Sequence, residues 1–341
     1  MQIQTDVSLK DYSTMRLGGP AAHLAHITTE AELTEALATA DQNNWNVVMI
    51  GGGSNIFWSD DGYDGLVLVN EIKAYTEEWQ DDTNVHVTAG AGEVWDDIVA
   101  RTANEGLSGI ENLSLIPGTV GATPVQNVGA YYQDISDTLV HLRAYDRKTK
   151  KMVMLTKDDC MLAYRTSRFK TVDHGRFFIT SVTLHLQKKN PEQPFYPSLQ
   201  QYLDDHNVTE FTPNSIREAV IAVRSAKLPD PKKVANNGSF FANPIITQGK
   251  LNDLQSKYTS VMHWPVGEGV YKIPAAWLVQ EAGFKGYHDA ETGMATWPHQ
   301  ALVLVNEHAT STADLLAFRQ KILDAVQKKF EITLEQEPQM L

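Results

Sequence analysis

The sequence predicts an α+β protein with two main parts. Short apolar or alternating segments typical of strands recur along the chain, and amphipathic segments with helix-capping residues stand between them. A stretch with three prolines, KKNPEQPFYPSL (188–199), interrupts this pattern and indicates a boundary or a mobile loop near 188–205. The length of 341 residues also favours two or three domains over one.

The predicted elements follow from periodicity and end signals. Thr29 with Glu32 and Ser311 with Asp314 have the spacing of helix N-terminal caps, and Pro213 suits a first helical position. Helices are predicted at 28–44, 93–106, 212–231, 274–286 and 311–330. Strands are predicted at 45–50, 65–70, 85–90, 139–145, 151–155, 177–186, 301–306 and 331–337.

Composition excludes several classes of function. The net charge of −13 makes the chain a poor candidate for binding a nucleic-acid backbone, which requires a basic surface. A single cysteine, Cys160, allows no internal disulfide and fits a reducing compartment. No leader pattern and no apolar run of about 20 residues is visible. We therefore expect a cytoplasmic protein with neither a membrane partner nor a metal site.

Two glycine-rich segments are candidates for anion binding. GGGSN (51–55) follows a predicted strand, and IPGTVGATPVQNVGAY (116–131) has neither helical nor strand periodicity. Glycine lets backbone N–H groups approach an anion closely, so the two segments could hold a diphosphate from both sides. Neither matches the GxGxxG or GxxxxGK[ST] fingerprint. A pair of tight surface turns remains the alternative.

The segment NNGSFFANP (236–244) places one hydroxyl between a turn and an aromatic pair. It can be read as a turn entering a buried strand, or as a positioned proton donor in a dry pocket. Two basic segments are also candidates for an anion site. Arg165 and Arg168 in YRTSRFK could form a guanidinium fork for a carboxylate or phosphate, or a solvated strand edge, and RSAKLPDP adds Arg224 and Lys227.

Several segments in order resemble the UDP-N-acetylenolpyruvoylglucosamine reductase (MurB) family, flavoenzymes of bacterial cell-wall synthesis. They are VMIGGGSNIFW (48–58), GIENLSLIPGTVGATPVQNVGAYYQDISD (109–137), YRTSRFK (164–170), RSAKLPDPKKVANNGSFFANP (224–244) and PHQALVLVN (298–306). The resemblance runs from YSTMRLGG (12–19) to LEQE (334–337), and GSFFANP narrows it to this family.

The resemblance implies a two-part FAD-binding domain of the vanillyl-alcohol-oxidase (PCMH) type at 1–190, with subdomains at about 1–60 and 61–190. A linker or substrate loop at 191–205 and a C-terminal α+β substrate-binding domain at 206–341 would follow. It implies noncovalent FAD and NADPH as co-substrate. We also expect the protein to be a monomer. The implied FAD-binding residues are Gly51, Gly52, Gly53, Ser54, Asn55, Pro117, Gly118, Thr119, Gly121, Ala122, Gln126, Asn127 and Gly129.

The implied reaction reduces an enolpyruvyl ether on a UDP-sugar to a lactyl ether. Ser239 matches the family's proton donor to C2, and Arg165 matches the arginine that holds the substrate carboxylate and stabilises negative charge. Glu337 matches the family's acidic residue, but Pro338 and Gln339 stand where Val-Arg is usual. Glu335 is the alternative, because alternation puts both carboxylates on one face.

The resemblance also implies five substrate-binding residues: Tyr164, Tyr196, Lys227, Asn243 and Gln300. Ordinary structural roles remain open for them, such as a helix C-terminal cation for Lys227. Two other functions remain open for the whole chain. One is a flavin oxidase of an alcohol or amine, although the loop 116–131 has no His or Cys to tether flavin. The other is a non-catalytic UDP-sugar or flavin-binding protein, which only the altered tail favours.

Overall fold

The computed structural model describes residues 1–341, which divide into two compact units. The N-terminal unit comprises Met1–Val7, Ala21–Gly53 and Tyr63–Ala226, and the C-terminal unit comprises Ser8–Pro20, Ser54–Gly62 and Lys227–Leu341. The division at 226/227 lies later than the predicted 190–205, and two early segments belong with the C-terminal unit. The sequence could not show that these early segments belong to the C-terminal unit, because that assignment depends on tertiary packing.

Twenty strands are present. They are β1 (Gln4–Ser8), β2 (Pro20–Ile27), β3 (Asn46–Ile50), β4 (Ile56–Phe57), β5 (Tyr63–Asn70), β6 (Tyr75–Trp79), β7 (Asn84–Gly90), β8 (Gly129–Ala130), β9 (Gln133–Asp134), β10 (Leu139–Asp146), β11 (Lys151–Thr156), β12 (Phe177–Gln187), β13 (Ala235–Ser239), β14 (Ile245–Thr247), β15 (Trp264–Gly267), β16 (Val270–Lys272), β17 (His288–Asp289), β18 (Met294–Trp297), β19 (Gln300–Asn306) and β20 (Gln339–Met340).

Eight α-helices accompany the strands. They are α1 (Glu30–Asn43), α2 (Trp95–Asn104), α3 (Ile135–Thr138), α4 (Pro197–Asp205), α5 (Pro213–Lys227), α6 (Gln248–Lys257), α7 (Ala275–Glu281) and α8 (Thr312–Phe330). None of the helices combines the length and the hydrophobicity that a membrane-spanning helix requires.

The N-terminal unit contains two main sheets. The first has the order β1-β2-β5-β3, with β2 and β3 both parallel to β5, and the crossover helix α1 packs Leu33 and Leu37 into its core. The second is antiparallel with the order β11-β10-β12-β7-β6, and its core includes Trp95 and Ile98 of α2. The first glycine-rich segment directly follows β3 of the first sheet, and the second contacts the start of α2, which packs on the second sheet.

The C-terminal unit contains a four-stranded sheet with the order β13-β19-β18-β17. It also contains a three-stranded sheet, β14-β16-β15, whose strands come between β13 and β17 in the sequence. Its core combines Phe240 and Phe241 with apolar residues of α7 and α8. The last strand, β20, pairs in parallel with β4. Because β4 comes from residues 56–57, the tail and the segment after GGGSN belong to the same unit.

Most predicted elements are confirmed to within a few residues. Thr29 accepts the N–H of Glu32 as predicted, but the Glu32 carboxylate accepts from Thr28, whereas Ser311 and Asp314 form a complete capping box. The segment 331–337 is extended but makes only an isolated bridge through Gln336, so the predicted strand is wrong. Helices α3, α4 and α6 were not predicted, nor were several strands such as β2 and β6. Helix α4 lies in the predicted linker at 191–205.

Candidate active site

The two glycine-rich segments meet in the N-terminal unit. Gly51 and Gly52 follow β3 and lie against Gly118 and Thr119. A Cβ on Gly51 would collide with Oγ1 of Thr119, and a Cβ on Gly52 would lie 3.2 Å from Cα of Gly118. Residues larger than glycine would therefore push the two backbones apart.

The second loop is held in place by backbone hydrogen bonds to the start of α2. Trp95 N donates to Gly118 O at 3.1 Å, and Val120 N donates to Glu93 O at 2.9 Å. Gly121 N donates to Ala91 O at 2.9 Å, at a position where a Cβ would come within 2.5 Å of the Ala91 side chain. The loop is thus fixed from one side, although it has no regular secondary structure over most of its length.

Five N–H groups at the meeting point donate to no backbone carbonyl: those of Gly51, Gly52, Gly53, Gly118 and Thr119. Grouped backbone donors without a protein acceptor are typical of sites for phosphate oxygens. The arrangement fits the diphosphate of a dinucleotide such as FAD. Of the other predicted FAD-binding residues, Ala122 closes the 3₁₀ turn Val120–Ala122, and Pro117 and Gln126 flank that turn in the same loop.

Asn127 connects this loop with the hairpin that carries Tyr164 and Arg165. It is buried with a left-handed backbone (φ 47°), and its Oδ1 accepts Ser136 N at 3.0 Å. Its Nδ2 donates to Ala163 O at 3.4 Å. Gly129 continues the connection, because its carbonyl accepts Nη2 of Arg165 at 2.9 Å. Predicted cofactor-binding and predicted catalytic residues are therefore linked within one unit.

Tyr164 and Arg165 form the tip of a tight hairpin closed by mutual Ala163–Thr166 backbone hydrogen bonds of 3.1 Å. Arg165 has φ 54°, a conformation that a non-glycine residue adopts only when its surroundings require it. The Tyr164 side chain is exposed, and the Arg165 guanidinium lies 5.4 Å from its ring centroid. The hairpin thus presents a cation beside an accessible aromatic ring.

Arg168 does not join Arg165 in a fork. Its Nε lies 2.7 Å from Oδ2 of Asp173, and its Nη1 donates to Asp159 O at 2.7 Å. This guanidinium is already neutralised within the protein and has a structural role. Cys160 nearby is not a nucleophile, because burial raises the pKa of its thiol to about 12.

Tyr196 packs against two tyrosines that were not assigned a role from the sequence. Tyr131 and Tyr132 form the left-handed turn of the β8–β9 hairpin, and their ring centroids lie 5.5 and 5.0 Å from that of Tyr196. Burial raises the pKa of Tyr131 and of Tyr196, so both hydroxyls keep their protons at neutral pH. No turn signal in the sequence could have shown this cluster, because Tyr131 and Tyr132 are not turn-forming residue types.

In the C-terminal unit, Ser239 ends β13 after a backbone irregularity. The pairing of β13 with β19 shifts register between Asn236 and Ser239, and Gly238 adopts φ 70° there. Asn237 is buried and donates from Nδ2 to Ile56 O at 3.0 Å and to Thr14 Oγ1 at 3.1 Å. These bonds fix the turn, whereas no hydrogen bond to the Ser239 hydroxyl is present.

The tail pairs with the residues that follow Ser239. Phe240 and Phe241 are fully buried, and Phe240 O accepts Glu337 N at 2.9 Å. Ala242 N donates to Glu335 O at 2.9 Å, which places Glu335 two residues farther from Ser239 along the pairing. Glu335 is also exposed, whereas Glu337 is half-buried. This register favours Glu337 as the acidic residue near Ser239.

The other predicted residues occupy element ends. Ser54 and Asn55 lie in the C-terminal unit, where Asn237 Nδ2 donates to Ser54 O at 3.3 Å and Asn55 O accepts Gln339 N at 3.0 Å. Lys227 is exposed at the end of α5. Asn243 Oδ1 accepts Ala275 N at 2.9 Å, so its amide NH₂ is the end that can donate to a ligand. Gln300 begins β19.

Comparison with known proteins supplies the family. Residues 21–153 match a model of an FAD-binding domain, and residues 230–341 match the C-terminal domain of UDP-N-acetylenolpyruvoylglucosamine reductase. The reductases of that name from Cupriavidus pinatubonensis and Alcanivorax borkumensis are 39% and 40% identical to the chain. These alignments cover 98% of the chain in both cases and 97% and 95% of the relatives. The chain belongs to the UDP-N-acetylenolpyruvoylglucosamine reductase family.

A solved structure supports the same fold. The crystal structure of the family member from Thermus caldophilus matches with a TM-score of 0.68 over 100% of the chain and 99% of that structure, at 22% identity. The predicted α+β fold with an FAD-binding domain and a separate C-terminal domain is confirmed. As a member of this reductase family, the chain is an FAD-dependent oxidoreductase. The roles of the individual site residues stay predictions.

Proposed function

We propose that the protein reduces UDP-N-acetylglucosamine enolpyruvate to UDP-N-acetylmuramate with NADPH, as a cytoplasmic and monomeric enzyme of peptidoglycan precursor synthesis. The observation that carries this proposal is the 39% sequence identity to a named reductase over 98% of the chain. The open N–H groups of Gly51–Gly53, Gly118 and Thr119 support FAD as the resident cofactor. Bound there, FAD would supply a two-electron carrier for hydride transfer, through flavin N5, between NADPH and C3 of the enolpyruvyl group.

Arg165 is proposed to hold the substrate carboxylate. Hydride addition at C3 leaves negative charge at C2, delocalised into that carboxylate, and a fixed guanidinium stabilises such charge. The bond from its Nη2 to Gly129 O orients the guanidinium, and the left-handed backbone aims it from the hairpin tip. Preorganisation of this kind lowers the reorganisation required when the charge forms.

Ser239 is proposed to protonate C2. A serine hydroxyl has a high pKa, so it can donate only when it is well placed and its anion is supported. The bonds of Asn237 hold the turn before Ser239, and the buried Phe240 and Phe241 exclude water from the following residues. Glu337 is proposed as the supporting acid, on the basis of its register with Phe240. Tyr164, Tyr196, Lys227, Asn243 and Gln300 are proposed to bind the rest of the UDP-sugar.

A two-step anaerobic experiment tests the function. The purified holoenzyme is reduced with NADPH and then mixed rapidly with UDP-N-acetylglucosamine enolpyruvate, while the visible band of oxidised flavin is followed. Fast recovery of the band supports the reductase. Recovery only after air is admitted would point to an oxidase, and purified protein without flavin would point to a binding protein. A parallel reduction with NADH tests the preference for NADPH.

A further inference from the structure

Gln336 interrupts a row of buried apolar side chains in the tail. Ile332, Leu334 and Pro338 are buried at alternate positions of this extended segment, and Gln336 occupies the matching position between them. A polar side chain in such a row lowers stability unless its donor and acceptor groups are satisfied. We therefore expect the Gln336 amide to have partners within the C-terminal unit.

Both ends of the Gln336 amide do have a partner. Its Oε1 accepts Nη1 of Arg319, on α8, at 2.8 Å, and its Nε2 donates to Pro338 O at 2.7 Å. A guanidinium group only donates and a carbonyl group only accepts, so a bridge between them requires a side chain that does both. We call this arrangement of Arg319, Gln336 and Pro338 the tail brace.

The tail brace encloses Glu337. The bond from Gln336 Nε2 to Pro338 O spans Glu337 along the chain. Glu337 N donates to Phe240 O at 2.9 Å, and Asn55 Nδ2 donates to Glu337 O at 3.5 Å. Because Pro338 has no N–H, the tail lacks a backbone donor directly after Glu337. The brace holds the chain at this point instead.

Arg319 connects the tail brace to a helix that is fixed in the core. It lies within the 19-residue helix α8, between the buried residues Phe318 and Ile322. Its Nε is buried without a hydrogen-bond partner, whereas its Nη1 donates to Gln336. A hydrogen bond from a charged donor is stronger than one between neutral groups. The backbone on both sides of Glu337 is thus tied to α8.

We propose that Arg319 and Gln336 are positioning residues that fix the Glu337 carboxylate relative to Ser239. The inference rests on the proposed function, in which Glu337 supports proton donation by Ser239. Both residues would act through the backbone beside Glu337 and not by contact with the reacting atoms. An effect that passes through Glu337 cannot exceed the loss of rate caused by removing the Glu337 carboxylate.

The test measures Gln336→Leu in two backgrounds. Leucine suits the buried row and removes both bonds of the brace. In the wild-type background, we expect flavin reduction by NADPH to stay near normal and reoxidation by the enolpyruvyl substrate to slow about 3- to 10-fold. In the Glu337→Gln background, Gln336→Leu should slow reoxidation no further, because the group that it positions is already absent. The control, Lys328→Met, removes an exposed cation from the last turn of α8 and should change neither half-reaction.

Arg319→Lys and Arg319→Met form a second pair of variants, which decides the question if Gln336→Leu does not fold. Lysine keeps a cationic donor for Gln336 Oε1, so its variant should be reoxidised faster than the methionine variant. A merely structural role predicts the same loss of rate in the wild-type and Glu337→Gln backgrounds. That pattern, or unchanged reoxidation in the Leu and Met variants, would overturn the proposal.

Failure of the proposed function would be recognised separately, because the enolpyruvyl substrate would then not reoxidise the wild type. Amide hydrogen exchange in the holoenzyme tests the brace in that case. The N–H of Glu337 is bonded to Phe240 O, and we expect it to exchange at least ~10-fold faster in Gln336→Leu than in the wild type. Faster exchange supports the brace as the device that fixes the Glu337 backbone, and equal exchange overturns it.

Discussion

Two groups of arginines in the N-terminal unit have opposite surroundings. Arg168 and Arg176 both bind Asp173, and Arg176 also forms a two-point contact of 2.8 and 2.9 Å with the buried Asp146. Arg224, by contrast, has a carbonyl contact and an open Nε. The first group has two carboxylates for two guanidinium groups, whereas Arg224 has none.

The difference separates arginines that the fold neutralises from an arginine that it leaves without a carboxylate. A neutralised buried arginine contributes to stability and offers little to a ligand. A buried arginine without a carboxylate partner lowers the stability of the folded protein. A similar contrast exists in the C-terminal unit, where Nδ2 of Asn237 donates to Thr14 Oγ1 and Ile56 O and the Ser239 hydroxyl makes no hydrogen bond.

The largest expected effect is on Ser239, the proposed proton donor. Ser239→Ala should leave flavin reduction by NADPH near normal and slow reoxidation by the enolpyruvyl substrate at least ~10²-fold, a typical contribution of a general acid. Stopped-flow measurement of the two half-reactions checks this. Asn237→Ala is the contrasting variant, expected to lower the melting temperature because it removes buried hydrogen bonds. Equal slowing of both half-reactions by Ser239→Ala would count against the proton-donor role.

The next largest effect is on the neutralised arginines. Asp173→Asn should lower the free energy of unfolding by about 2 kcal/mol, because it leaves the half-buried Arg168 without its carboxylate. Urea unfolding measures the change, and affinity for the UDP-sugar should stay the same. The control, Asp41→Asn, breaks an exposed pair with Lys150 and should change stability much less. If Asp173→Asn weakens ligand binding without changing stability, the two groups of arginines do not differ as described.

The acidic tail offers a smaller effect. Glu337→Gln should reduce turnover about tenfold, the scale of one supporting charged contact, while Glu335→Gln should leave it near normal. The reason is that Glu337 N pairs with Phe240 O, next to Ser239, whereas Glu335 lies opposite Ala242 and is exposed. Steady-state kinetics of the two matched variants decide the question. Loss of activity only in the Glu335 variant would show that the tail alignment is wrong.

The smallest effect is the pH dependence of the Asp146–Arg176 pair. Hydrogen bonding to Arg176 lowers the pKa of Asp146 to about 2, from an ordinary value of 3.8. A lowered carboxyl pKa adds stability that is complete above the ordinary value and is lost as the pH falls toward 2. The loss should be of the order of 1 kcal/mol, since Arg176 is partly exposed to solvent. Unfolding curves between about pH 5 and pH 2 should show the wild type converging on Asp146→Asn, with most of the change below about pH 4, and a constant gap would contradict the assignment.

Much of this protein was predictable because the relevant signals are local. Alternation and capping residues predicted β10, β12, β19 and α8 to within two residues, since strand and helix periods depend on neighbours in sequence. The glycines at 51–53 and 118 predicted close backbone approach, because only a residue without Cβ permits it. The family resemblance likewise came from motifs whose order and spacing are visible in the sequence alone.

Tertiary structure alone decided which charges are satisfied and which elements share a unit. Arg165 and Arg168 look alike in YRTSRFK, but only Arg168 folds against Asp173. Arg217 and Arg224 look alike on α5, but only Arg217 meets Asp96, 121 residues earlier in the chain. The tail alternates like a strand, yet no full partner strand accepts it. Local patterns fix conformation over a few residues, whereas pairing depends on contacts between segments that are distant in sequence.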